Sequence, residues 1–241
     1  MIKITNLCKH FGELVAVESL SIEIPKGEFF AFLGPNAAGK TTTIKLLTGL
    51  LKPTSGEASI CDYDIQRDYI KAKSLISYIP DFPFLYDKLT GREFLNFVVD
   101  LYPAGRSKKT EAMMKELLFI FGLVDHKDHL LEYYSHGMRQ KLVFAASLLH
   151  NPSVMIIDEP MVGLDPHSAK VVKDILKNKS KEGVTIFLST HTLSVAEELA
   201  DRIGIIDKGK LLAIGTLDDL KASFDIKGKL EDVFLRITEE E

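Results

Sequence analysis

The sequence predicts an α/β protein, a mainly parallel sheet core with an antiparallel β subdomain at its N-terminal side and a helical insertion. Three observations predict it. Short continuous apolar runs, FFAFL at 29–33, VMII at 154–157 and TIFL at 185–188, each lead into a helical pattern, the alternation expected of a parallel sheet covered by helices. Two earlier segments, MIKITNL and VAVESLSIEI, instead alternate apolar and polar residues, which suits half-exposed antiparallel strands at a sheet edge. Between about 89 and 150 the pattern is helical without intervening strands.

In chain order, FFAFL ends at Gly34 and is followed by the helical KTTTIKLLTGL. The insertion opens with Thr90 and Glu93, spaced as a capping box. VMII ends at Asp158, and the next helix, PHSAKVVKDILKNK, starts well because Asp165 can cap it and Pro166 is tolerated in a first turn. TIFL ends at Ser189 and leads into TLSVAEELAD. GIIDKGKLLAIG reads as a hairpin turning at Lys208-Gly209, and TLDDLKASF with LEDVFLRITEE as a helical tail over about 216–241. All of this fits one domain over 1–241.

The 241 residues, 46% hydrophobic and 27% charged, suffice for one main core. A net charge of −4, with Lys and Arg interspersed among Asp and Glu, argues against a nucleic-acid partner held by its backbone. No apolar run approaches the roughly 20 residues of a membrane span. The first residues carry no leader pattern, so a cytosolic chain is expected. Cys8 and Cys61 lack disulfide-framework or metal-ligand spacing and read as reduced packing residues.

The segment GPNAAGKTT, Gly34-Pro35-Asn36-Ala37-Ala38-Gly39-Lys40-Thr41-Thr42, fits the phosphate-loop pattern between a buried strand and a helix. Inward-pointing N–H groups and the positive helix start suit a polyphosphate. Lys40 is expected on the β and γ phosphates, and the Thr41 hydroxyl on Mg²⁺. The second segment, VMIIDEP, delivers Asp158 and Glu159 side by side at a strand end. Asp158 would hold Mg²⁺ and Glu159 would orient and deprotonate an attacking water. Alone, an Asp-Glu pair after a strand reads equally as a helix start; the phosphate loop gives it weight.

Ahead of VMIIDEP lies YSHGMRQKL at 134–142. The order GPNAAGKTT, YSHGMRQ, VMIIDEP, GLDP, STH resembles the ATP-binding cassette (ABC) ATPases over residues 1 to about 215, with a P-loop NTPase core. The resemblance implies ATP and Mg²⁺ as ligands. It places Phe11 on the adenine, against the alternative of a core aromatic. Ser135 and Gly137 would reach the γ phosphate held by the opposite subunit. Asp165 would lie in the loop crossing the dimer interface, and His191 would sense the γ phosphate as the switch histidine. Two cassettes would stack head to tail around two ATP as a homodimer or heterodimer, and a membrane-spanning subunit would hold the protein on the inner face of the cell membrane.

The sequence departs from that family at several positions. Ala37 stands where glycine is usual, at a cost of about 1–2 kcal/mol if the residue needs positive φ. His136 replaces a common glycine and Met138 a common glutamine, a form resembling the bacterial branch that works with exporter-type membrane subunits. Asp81 replaces a glutamine that reaches Mg²⁺ and the attacking water; a carboxylate still accepts but lacks the amide donors. The residues after it, FPFLY with Phe82, Phe84 and Tyr86, would line the groove that receives the membrane subunit, unless the aromatics fold inward onto the helical insertion. Two other functions compete: a soluble cassette ATPase acting on nucleic acid or ribosomes, which the acidic balance disfavours, and an ATP-binding regulatory module with little turnover, which Glu159 and His191 oppose.

Overall fold

A computed structural model describes residues 1–102, 105–226 and 228–239, with Glu239 described in its backbone only. Residues 227, 240 and 241 of the expected tail, and 103–104 of the expected insertion, lie outside the described residues. The chain runs β1 (Ile2–Phe11), β2 (Leu14–Ile24), β3 (Phe29–Leu33), α1 (Lys40–Leu47), β4 (Ser55–Ile60), β5 (Tyr63–Asp64), α2 (Tyr69–Leu75) and β6 (Ile76–Ile79). It continues through α3 (Gly91–Asp100), α4 (Lys108–Ile120), α5 (His136–Leu148), β7 (Val154–Asp158), α6 (Pro166–Lys181), β8 (Thr185–Thr190) and α7 (Leu193–Leu199). β9 (Arg202–Asp207), β10 (Lys210–Gly215), α8 (Leu217–Ser223) and α9 (Leu230–Glu239) complete it.

The larger sheet has the order β10-β9-β3-β8-β7-β6. Its strands β9, β3, β8, β7 and β6 are mutually parallel, and β10 folds back on β9 as the expected hairpin. Side-chain alternation along β3 divides the core. Phe30 and Phe32 join Phe187, Ile156 and α1 against the antiparallel sheet, while Phe29 faces the α3–α6 side with Met155, Ile157 and Leu188. Ala31 and Leu33 pack with Ile203, Ile205 and the C-terminal helices. Burying a side chain of this size contributes about 1.5–3 kcal/mol, so the apolar runs lie in the interior.

The smaller sheet is antiparallel, in the order β2-β1-β4-β5. This differs from the expectation that both N-terminal strands form an edge. β4 covers the second side of β1, with Ile2 opposite Ile60 and Ile4 opposite Ala58. SGEASI is polar and short, so its pairing is long-range and leaves little local signal. The α3 capping box is present: Glu93 N–H donates to Thr90 Oγ1, and the Glu93 carboxylate accepts from Thr90 N–H at 2.8 Å. Among the described residues no helix is long and apolar enough to cross a membrane.

Parallel register sets where chemistry can occur. Leu33 lies opposite Thr190, Asp158 opposite Ser189 and Ile79 opposite Ile157, so the loops after β3, β6, β7 and β8 emerge along one edge of the sheet.

Candidate active site

Close backbone approach shapes the loop after β3. A Cβ on Gly34 would lie 2.3 Å from the Ile206 carbonyl oxygen, and one on Gly39 would lie 2.5 Å from that of Ala16. Gly39 is left-handed at φ +105°, and so is Ala37 at +64°, a conformation that costs an L-residue with a side chain. Ala38 is buried, and its carbonyl accepts from Gly209 N–H at 3.0 Å. Lys40 opens α1 and curls back into the loop, donating to the Gly34 and Pro35 carbonyls at 2.7 and 2.8 Å. Burial lowers its pKa from the usual lysine value, a shift that Glu159 and then Asp158 partly offset.

Asp158 is 2% exposed and joins two elements. Its carboxylate accepts from the Thr41 hydroxyl at 2.9 Å and from the Ser189 hydroxyl. Glu159 adopts left-handed backbone at φ +45°, which turns its side chain toward the end of β8. There its Oε1 lies 2.8 Å from His191 Nδ1, and its Oε2 accepts from the Thr190 hydroxyl at 3.2 Å. Burial pushes the Tyr78 hydroxyl up to about 12, with the charges of Asp158 and Asp81 adding to it.

These groups share a cleft of about 560 Å³, lined by Phe11, Asn36, Ala37, Gly39, Lys40, Thr41, Thr42, Asp81, Asp158 and Glu159. Phe11 is 47% exposed with Lys9 Nζ 4.9 Å above its ring, so it is not a core aromatic. Leu14, Val15, Ala16 and Lys208 also line the cleft and were not expected from the sequence. Lys208 arrives through the β9–β10 turn, which is tied to β2 by Glu18 N–H donating to the Gly209 carbonyl at 2.8 Å. The KG turn was the only local signal for it.

Gly34, Pro35 and Ala38 of the loop do not line this cleft, nor do His191, which meets it only through Glu159, or Ser135, Gly137 and Asp165. Ser135 caps α5 by accepting from Met138 N–H at 3.3 Å. Asp165 caps α6 through Ser168, whose hydroxyl and N–H hold the carboxyl far below the usual range, with Lys141 3.4 Å away adding to this. Gly137 faces the loop before α6, since a Cβ there would lie 3.1 Å from the Gly163 carbonyl oxygen. After β6, Phe82 and Phe84 are 75% and 85% exposed, so they do not fold inward, while Tyr86 meets Phe97 edge-on at 5.6 Å.

The donor set at the cleft fits Mg²⁺. A hydroxyl and a buried carboxylate oxygen converge at the loop, and among the described residues no group of three or more His, Cys, Asp or Glu could hold a metal. Mg²⁺ typically takes one or two protein oxygens and completes its shell from phosphate and water.

The sequence model of the ABC transporter family matches residues 17–162. The linearmycin resistance ATP-binding protein LnrL of Bacillus subtilis is 38% identical over 222 residues, 91% of this chain and 70% of that protein. The bacitracin transport ATP-binding protein BcrA of Bacillus licheniformis is 40% identical over 222 residues, 92% of this chain and 71% of the other. A solved structure described as the ATP binding subunit of an ABC transporter superposes with a TM-score of 0.94 at 31% identity, covering 99% of both chains. The dimeric post-hydrolysis cassette MJ0796 bound to ADP and Pi superposes at 0.81 with 25% identity, covering 90% of this chain and 99% of that one.

Proposed function

This chain belongs to the ABC transporter family as an ATP-hydrolysing, ATP-binding subunit, and from that premise we propose that it closes on a second cassette around two ATP to drive export through a separate membrane subunit. The observation that carries the reading is the 2.8 Å contact of His191 with Glu159, a residue that lines the phosphate-loop cleft. The relatives named for linearmycin resistance and bacitracin transport support export.

In this reading Phe11 stacks on the adenine, and residues Gly34–Thr42 wrap the phosphates with inward N–H groups. Lys40 leaves its two carbonyl partners for the β and γ phosphates. Mg²⁺, bound by Thr41 and Asp158 with Asp81 nearby, would neutralise phosphate charge. Glu159 accepts a proton from water as the water oxygen bonds to the γ phosphorus. The bond to the bridging oxygen then breaks, and its electron pair leaves with ADP. His191, with its proton on Nδ1, donates to Glu159 and holds the carboxylate in place. Ser135, Gly137 and Asp165 act on the nucleotide of the opposite cassette. The membrane subunit docks on the loop bearing Phe82, Phe84 and Tyr86, which holds the protein at the inner face of the cell membrane.

Glu159→Gln is expected to lower steady-state ATP turnover by at least about a hundredfold while ATP still binds. Turnover persisting near the wild-type rate would remove Glu159 as the base. A wild-type protein that binds ATP without hydrolysing it would favour the regulatory module.

A further inference from the structure

Outside the cleft, one side chain joins two loops to the start of a helix. His136 is the first residue of α5, directly after the Ser135 cap. Its ring stands 5.7 Å from that of Phe82, on the loop that follows β6 and carries Asp81. Its Cδ2–Nε2 edge meets the loop between β7 and α6: a Cβ built on Gly163 would lie 2.1 Å from His136 Cδ2 and 2.5 Å from Nε2. Gly163 therefore has no room for a side chain while the ring is there. A glycine at 136, the residue usual in the resemblance noted above, would make neither contact.

We propose that His136 is a positioning residue for ATP hydrolysis, its ring coupling the Asp81–Phe82 loop to the start of α5 and to the Gly163–Asp165 loop. Phe82 is largely exposed and sits in the segment proposed to receive the membrane subunit. A partner that shifts Phe82 moves the surface on which the His136 ring rests. The ring belongs to the first turn of α5, so the shift reaches Ser135 and Gly137 directly. Packed rings have discrete arrangements rather than a continuum, so the two loops and the start of α5 move together. The inference rests on the proposed function in two respects: Ser135 and Gly137 act on nucleotide, and the Phe82–Tyr86 loop docks the partner.

The test is steady-state ATP hydrolysis by the full chain with Phe82→Ala, His136→Gly and the double variant. ATP binding, measured in a Glu159→Gln background, verifies that each variant is folded. Each single change is expected to lower kcat about threefold or more with KM for ATP little changed, and the double to be no worse than the poorer single, since groups in contact are not additive. His136→Phe, which keeps a flat ring, should restore kcat. Gly163→Ala should lose less activity in the His136→Gly background than in the wild type, because the methyl no longer meets the ring. Multiplicative effects of the two single changes, unchanged kcat in both, or an equal Gly163→Ala loss in both backgrounds would overturn the coupling while leaving the ATPase reading intact. If wild-type turnover does not depend on Glu159, that reading fails and the inference falls with it.

Discussion

Ala37 and Glu159 both hold left-handed backbone, at φ +64° and +45°, on either side of the cleft. At Glu159 the strained conformation turns the carboxylate toward His191, a recognisable gain. At Ala37 the exposed methyl gains nothing visible, though in the proposed function the loop keeps this geometry around a phosphate. Removing a penalty of about 1–2 kcal/mol predicts that Ala37→Gly tightens ATP binding by about five- to thirtyfold, 1.4 kcal/mol being one decade. Titration with a fluorescent ATP analogue measures it, and an unchanged Kd would mean the backbone tolerates alanine without cost. Residues of this kind were legible in the sequence because their motifs are local: Lys40, Thr41, Asp158 and Glu159 each lie beside a buried apolar strand. Lys208 was not, because it enters the cleft only through long-range pairing of its hairpin with β2.

The same contrast holds for elements. The buried strands β3, β7 and β8, the helices after them and the β9–β10 hairpin could be read from continuous apolar runs and turn residues. β4 and α2 could not, since SGEASI and YIKAKSL carry a weak pattern that only tertiary pairing stabilises. The β6–α3 loop was legible as an aromatic cluster, but its orientation was open. Phe82 and Phe84 face solvent, and Phe84 and Leu85 border a cavity of about 200 Å³ with Phe94 and Val98 of α3. Exposed rings beside a cavity suit aromatic anchoring of a partner helix. Combining Phe84→Ala and Tyr86→Ala is therefore expected to abolish co-purification with the membrane subunit while ATP affinity stays within about twofold, because neither ring lines the nucleotide cleft. Full co-purification of that variant would rule out docking at this loop.

At the scale of the whole molecule, the proposed function makes one chain the bearer of two incomplete halves of a site. The cleft gathers most of the phosphate loop with Asp158, Glu159 and Phe11, whereas Gly137 and Asp165 lie at the Gly163 loop, Ser135 caps α5, and none of the three lines the cleft. Ser135 and Gly137 can then serve a nucleotide only if a second cassette presents them across an interface. A head-to-tail pair would do this twice by symmetry, each copy lending its YSHGMRQ segment to the other's phosphate loop. ATP would lie within the interface, so its binding must favour the closed dimer and its hydrolysis must weaken it. Glu159→Gln should trap the closed form: light scattering is expected to report a monomer without nucleotide and a dimer with Mg-ATP, returning to monomer with Mg-ADP. A dimer would mean that the phosphate loop with Ala37 and the YSHGMRQ segment with His136 both engage. A variant that binds ATP yet remains a monomer would defeat closure by this chain alone and point to a different cassette, or to the membrane subunit, as the missing half.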